Sequence, residues 1–162
     1  MLRHSLLLAA LLGACAPAGS PPSAATPAAT PAAAPAAAAD PRSEIEAQFR
    51  RSAQAWNAGD LDGFMQDYAR DGTTSYVAGG RLRRGWDRIR GGYAARFEPG
   101  AQRDSLRFED FDVRALGTTH ALVFARFILA RGDSTTASGP FTLVMERRPE
   151  GWRIIHDHTS SD

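Results

Sequence analysis

Lysine is absent: every one of the 19 basic side chains in this 162-residue chain is an arginine, set against 18 acidic residues for a formal net charge of +1. A balance so near neutral gives no electrostatic case for a nucleic-acid partner. Cysteine occurs once, at Cys15, which excludes a disulfide within the chain and a zinc site built on thiolates. Long apolar runs are missing too. The longest, Leu6 to Leu12, is too short to stay in a bilayer as a spanning helix. Residues 16–40 hold almost nothing except Ala, Pro, Thr, Ser and Gly, with no aromatic or branched aliphatic side chain that could be buried.

What is present at the start is an ordered set of signals. Arg3 and His4 precede the apolar run, the charged-then-apolar order of a secretory signal peptide over residues 1–14. The run closes in Leu12-Gly13-Ala14-Cys15, which resembles the lipobox of bacterial lipoproteins; the alternative is an ordinary signal peptide with a cysteine of no consequence. The resemblance implies lipidation of Cys15, export and a membrane anchor. Ala16 follows the cysteine in place of Asp, which implies the outer membrane, on its periplasmic side. Residues 15–40 then read as the lipidated cysteine and an extended tether. At ~3.1 Å per residue in polyproline II geometry it reaches roughly 75 Å.

Residues 41–162 are the size of one domain. Ser43 and Glu46 have the spacing of a capping box, and Ile45, Phe49, Ala53 and Trp56 recur on one face, predicting a helix from about Ser43 to Asn57. Gly59 stops it, and Asp60 caps a second helix carrying Leu61, Phe64, Met65 and Tyr68. A strand over 72–78 is ended by Gly79-Gly80, and a third helix is predicted from Gly85 to Phe97, weakened by Gly91-Gly92. Four antiparallel strands follow, over 105–116, 118–130, 135–148 and 152–160. Leu106 and Phe108 share one parity while Phe111 and Val113 share the other, so a β-bulge near Glu109-Asp110 is needed for a common face. Gly139-Pro140 predicts a bend, or an edge, in the third of these strands. The sum is an α+β domain whose sheet wraps its helices and leaves a pocket between.

The stretch Trp56-Asn57-Ala58-Gly59-Asp60-Leu61-Asp62-Gly63-Phe64, with Tyr68, Asp71 and the closing Gly151-Trp152-Arg153-Ile154-Ile155-His156-Asp157-His158-Thr159-Ser160, resembles the SnoaL-like branch of the nuclear transport factor 2-like superfamily. The resemblance spans nearly all of residues 43–160. It implies a cone-shaped fold, three N-terminal helices wrapped by a curved antiparallel sheet, that hosts isomerases, cyclases, dehydratases, epoxide hydrolases and plain binding or dimerising modules. Each motif residue also has a structural reading: Trp56 as core, 57–60 as a helical corner, Asp71-Gly72 as a turn. Ketosteroid isomerase chemistry does not carry over, because the oxyanion tyrosine falls at Ser52 and the base aspartate at Tyr76. Nor does the Asp-Arg-Asp set of epoxide hydrolysis, since no pair of interior carboxylates is evident.

Candidate site residues come from faces expected to point inward. Arg126 interrupts an otherwise apolar strand and reads as a grip on an anion, as half of an ion pair with Glu109, Asp110 or Glu146, or as a residue at the pocket mouth. His156 and His158 are expected to share a face with Trp152 and Ile154, with Asp157 turned away. With His120 as the only other histidine of the domain, two imidazoles fall short of a zinc site, so no metal and no cofactor is expected. Trp56, Tyr76, Trp86, Tyr93 and Phe141 read as pocket walls or as core packing. The leading expectation is an anchored domain that binds a small, mostly apolar or aromatic molecule. The rival is a cofactor-free acid-base enzyme using His158, Tyr76 and Arg126. His158 is the histidine favoured by the resemblance of the terminal His-Thr-Ser to the family pattern. A third reading is a module that pairs with a second copy through the outer sheet face.

Overall fold

The computed structural model describes residues 40–162, so the signal peptide, Cys15 and residues 16–39 of the tether lie outside the described residues. The first helix, α1 (Pro41–Ala58), begins earlier than its capping-box spacing suggested. Asp40 is the cap: its carboxylate accepts from the Arg42 backbone N–H at 3.1 Å, and Pro41 takes the first helical position, where no N–H is needed. Ser43 Oγ instead donates to the Asp40 carbonyl at 3.0 Å. Gly59, at φ 81°, supplies the left-handed residue that ends α1, and Asp60 accepts from Gly63 N–H at 2.8 Å to start α2 (Leu61–Met65).

β1 (Ser75–Ala78) pairs antiparallel with β2 (Arg81–Arg84) across Gly79 and Gly80, whose φ values of 55° and 70° suit a two-residue hairpin turn. The sequence reading stopped at those glycines and had no strand after them. Arg-Leu-Arg-Arg shows no alternation that marks a strand, because an edge strand needs no buried face. Helix α3 (Trp86–Ala94) runs through Gly91-Gly92 but ends before Phe97.

The last four strands, β3 (Ser105–Leu116), β4 (His120–Arg131), β5 (Ser134–Arg148) and β6 (Gly151–Thr159), form the expected antiparallel meander. One six-stranded sheet results, in the order β2-β1-β6-β5-β4-β3, and only its β1–β6 pair is parallel. α1 lies against β3, and the core fills the space between helices and sheet with Ile45, Phe49, Trp56, Met65, Leu143, Met145 and Trp152. Each such side chain contributes about 1.5–3 kcal/mol through burial.

Two bulges decide which side chains reach that interior. In β3, Glu109 pairs with Arg126 and Asp112 with Phe124, so Asp110 and Phe111 together oppose Ala125, with Asp110 at φ 58°. The expected bulge is therefore present, and Phe108 and Phe111 both pack on Phe49, at 5.0 and 5.5 Å between ring centroids. A second bulge lies in β6, where Val144 pairs with His156 but Met145 with Ile154, leaving Ile155 extra. Beyond Ile155 the alternation inverts. Asp157 and Thr159 face inward after Trp152 and Ile154, and His156 and His158 face out, which reverses the assignment made from simple alternation.

Gly139 and Pro140 stay within β5, opposite Phe127 and Arg126. The Pro140 carbonyl accepts from Ser160 N–H at 3.0 Å, so the missing Pro140 donor points to the side where β6 has ended and only the tail runs. A Cβ on Gly139 would collide with the Ser160 carbonyl oxygen of that tail.

Candidate functional site

The cone holds a cavity of about 290 Å³. α1 contributes Phe49, Ser52 and Trp56 to its wall, α2 and the segment after it Phe64, Asp67 and Tyr68, β1 Tyr76, and α3 Tyr93. The sheet adds Phe108, Phe127, Phe141, Leu143, Ile154 and Asp157. Aromatic edge-to-face contacts fix the rings around it, including Trp56 on Phe64 at 5.2 Å and Phe64 on Tyr93 at 5.0 Å.

The cavity carries one polar chain. Tyr68 Oη donates to Asp157 Oδ2 at 2.6 Å, Thr159 Oγ1 donates to Asp157 Oδ1 at 2.8 Å, and the Tyr68 and Tyr93 hydroxyls stand 3.5 Å apart. The Tyr93 ring lies 5.9 Å from that of Tyr76. Burial pushes the Asp157 carboxyl up to about 6, against the opposing effect of the Tyr68 and Thr159 hydrogen bonds and the nearby His158. Burial, and then the Asp157 charge, pushes the Tyr68 phenol well above its ordinary range; burial likewise raises Tyr93, so both hydroxyls stay protonated donors at neutral pH.

A second carboxyl, Asp67, is raised to about 6, again chiefly by burial, with the Ser52 side chain and the charges of Arg51 and Arg153 opposing the rise. Its Oδ2 and Gln48 Nε2 are buried without a hydrogen-bond partner. Two carboxyls that titrate near neutrality on the wall of an apolar cavity can hold or release a proton toward whatever occupies it. Among the described residues, no group of three or more His, Cys, Asp or Glu side chains is arranged to hold a metal ion.

The expected site residues divide in two. Trp56, Tyr76, Tyr93 and Phe141 line the cavity, and so does Ser52, at the position where an isomerase would carry its phenol. Trp86 does not: its indole N–H donates to the Met65 carbonyl at 3.3 Å, and the Arg70 guanidinium covers its ring at 4.8 Å. Arg126 lies on the face of β4 opposite Val123, Ala125 and Phe127, and its partner is the Asp162 carboxylate, not Glu109, Asp110 or Glu146. His156 Nδ1 hydrogen-bonds Ser75 Oγ at 2.8 Å on the outer face, and His158 is exposed. Neither His158 nor Arg126 reaches the interior: Arg126 is half of an ion pair, as one of its readings had it but with a different partner, and His158 is in solvent.

Asp67, Tyr68 and Asp157 were not among the expected site residues, although Tyr68 and Asp157 belong to the quoted motifs. A signal for Asp157 did exist in the adjacent apolar pair Ile154-Ile155, which breaks the alternation of β6 where the bulge falls. Asp67 offered none, since it sits in the irregular segment after α2.

A curved sheet folded over three helices around an aromatic cavity defines the cone-shaped class in which small-molecule sites are built. Residues 45–161 match the model of the SnoaL-like domain, and the chain belongs to that family. Among solved structures, it is similar to a nuclear transport factor 2-like protein of unknown function from Shewanella oneidensis MR-1. The two share 31% identity over 75% of this chain and 99% of that one, with a TM-score of 0.67. A nuclear transport factor 2-like superfamily protein from Salmonella enterica serovar Typhimurium is 22% identical over 74% of this chain and 89% of its own, with a TM-score of 0.58. The search of curated proteins gives no match.

Proposed function

We propose that this SnoaL-like domain binds a small, mostly apolar molecule inside the cone, with a polar group of the ligand meeting the Tyr68–Asp157 pair. The observation that carries this is the open cavity of about 290 Å³. Protein cores close-pack, so an aromatic-walled space of this size, close to the lower end of known ligand pockets, is what a binding site requires. Ala137 lines it, and Ala137→Trp fills it. The expected result is that 1-naphthol binds the full chain in calorimetric titration and that A137W abolishes binding while leaving the melting transition cooperative. Binding unaffected by A137W would place the molecule elsewhere and overturn the reading.

The second reading, acid-base catalysis without a cofactor, is supported by Asp157 alone: a buried carboxyl raised to about 6 and held by Tyr68. It moves the candidate proton carrier from His158 to Asp157. Asp157→Asn should then abolish turnover of the ligand yet preserve its binding; unchanged turnover would exclude Asp157.

Two further proposals concern the molecule's surroundings. Among the described residues no helix is long and apolar enough to cross a membrane, so an anchor on the described domain would have to be supplied from outside it. We assign that role to lipidated Cys15, with Cys15→Ser expected to move the protein from the membrane to the soluble fraction. On the outer sheet face Leu116 is 50% and Phe124 37% exposed, which favours pairing with a second copy there. Phe124→Glu should turn a sedimenting dimer into a monomer.

A further inference from the structure

The cavity's own wall says more about the molecule it takes. We infer that the occupant is an amphipathic anion, an apolar body inside the cone ending in a carboxylate held at the mouth by Arg83 and Arg96. The inference rests on the binding reading above and specifies its ligand class.

The mouth is marked by exposure. Ser52, Asp67, Tyr68 and Asp157 line the cavity yet are buried, whereas Gly79, Arg96 and Ser161 line it and are exposed. Arg96 is thus a cation at the entrance. Arg83, from β2, places its guanidinium 5.7 Å from the centroid of the Tyr76 ring, itself part of the wall. A Cβ on Gly92 would stand 3.5 Å from Arg83 Nε, so the side chain runs along α3 where that helix has no side chain of its own. Both arginines act on the same phenol: burial raises Tyr76, and the charges of Arg83 and Arg96 oppose that rise.

Among the described residues neither guanidinium is paired with a carboxylate, and Arg83 has only the face of the Tyr76 ring. Nine other arginines form ion pairs with carboxylates, and among the described residues Arg83 and Arg96 form none. Further arginines are free as well. Among the described residues, however, only Arg96 lines the cavity and only Arg83 covers a ring that does. A guanidinium fork on the wall of an apolar space, with a second beside one of its rings and neither paired with a carboxylate, is complementary to an oxyanion and repels a cation.

The interior then fixes the orientation. Asp157 and Asp67 are buried in the wall, where a second carboxylate would meet like charge, and apart from the hydroxyls of Ser52, Thr159 and Ser161 and the guanidinium of Arg96 the rest of the lining is mostly aromatic and aliphatic. The anionic end is left one favourable place, between Arg83 and Arg96.

The test uses the full chain and two probes of matched shape, 2-naphthylacetate and 2-(2-naphthyl)ethanol, titrated calorimetrically at low salt. The acid is expected to bind at least about tenfold more tightly than the alcohol, the effect of one charge-assisted contact. Arg83→Gln with Arg96→Gln should erase that preference, bringing the acid's affinity down to that of the alcohol for the same variant, and the corresponding Lys variants should restore part of it. If the Arg83 substitution lowers the melting temperature, Arg96→Gln alone, at an exposed position, serves the same purpose. Equal binding of acid and alcohol, or a preference that survives the double Gln variant, overturns the anion inference and leaves the apolar cavity reading standing. Failure of both probes to bind, or binding indifferent to A137W, overturns the two together.

Discussion

At the scale of single residues, Asn57 shows how much a motif position can do without chemistry. Its side chain meets the Leu106 backbone twice, Oδ1 accepting from the N–H at 2.7 Å and Nδ2 donating to the C=O at 3.0 Å, as a neighbouring strand would. Beside it the Trp56 indole donates to the Asp104 carbonyl at 2.9 Å. The pair docks the end of α1 onto the start of β3. Asn57→Ala leaves two backbone groups without partners, so a loss of about 1–3 kcal/mol in urea unfolding is expected. Asp157 makes a different prediction, in pH. Its folded value of about 6 exceeds the ordinary aspartate value of 3.8, so the native state retains its proton over a range in which the unfolded chain has lost it. Stability from this group is complete below about pH 4 and is lost as pH rises through about 6. D157N should therefore remove much of the fall in urea midpoint between pH 4.5 and 8; an unchanged fall would assign it to Asp67.

At the scale of elements, the bulges matter more than the strands. The strand positions of β3 to β6 follow from composition and turns, but a single extra residue reverses every side chain after it. The β3 bulge was legible because Phe108 and Phe111 are both large and apolar, and strict alternation would turn one of them to solvent. The β6 bulge was obscured, since His156, Asp157 and His158 are all polar and either parity leaves a polar face. The tail beyond β6 depends on one position of β5. Gly139→Ala is expected to cost about 1–3 kcal/mol through overpacking against Ser160. It should also raise the proteolytic susceptibility of the segment after β6, because Asp162 loses its contacts with Ser138 and Arg126.

At the scale of the whole molecule, ion pairs tie distant segments together around the cone. Glu44 of α1 accepts from both terminal nitrogens of Arg147, at 2.9 and 3.1 Å, and from the Trp152 indole at 2.9 Å. Arg148 bridges Asp71 and Glu146 at 2.9 and 2.7 Å. Arg148 holds Asp71, and Arg147 holds Glu44, below the ordinary carboxylate range, so these contacts weaken as pH falls. Opposed to the buried aspartates, they place the stability maximum near pH ~4 to 5. The tether makes no contribution by composition: removing residues 16–39, which spares the Asp40 cap, should leave the melting temperature of the domain unchanged in calorimetry. A cooperative transition that weakens would contradict this.

Helical faces, strand positions, the α+β class and the family motifs are properties of local pattern, and the sequence by itself determined them, down to the β3 bulge. The membership of the cavity was half determined in the same way, through Trp56, Tyr76, Tyr93 and Phe141. What the tertiary structure alone decided is which polar groups enter. The Ile155 bulge turned Asp157 in and both histidines out, and the outer face of β4 gave Arg126 to Asp162. The edge strand that brought Arg83 to Tyr76 carried no apolar pattern to announce it. Local spacing encodes how an element is built, whereas the direction of a polar side chain depends on the register and pairing of strands far apart in the chain.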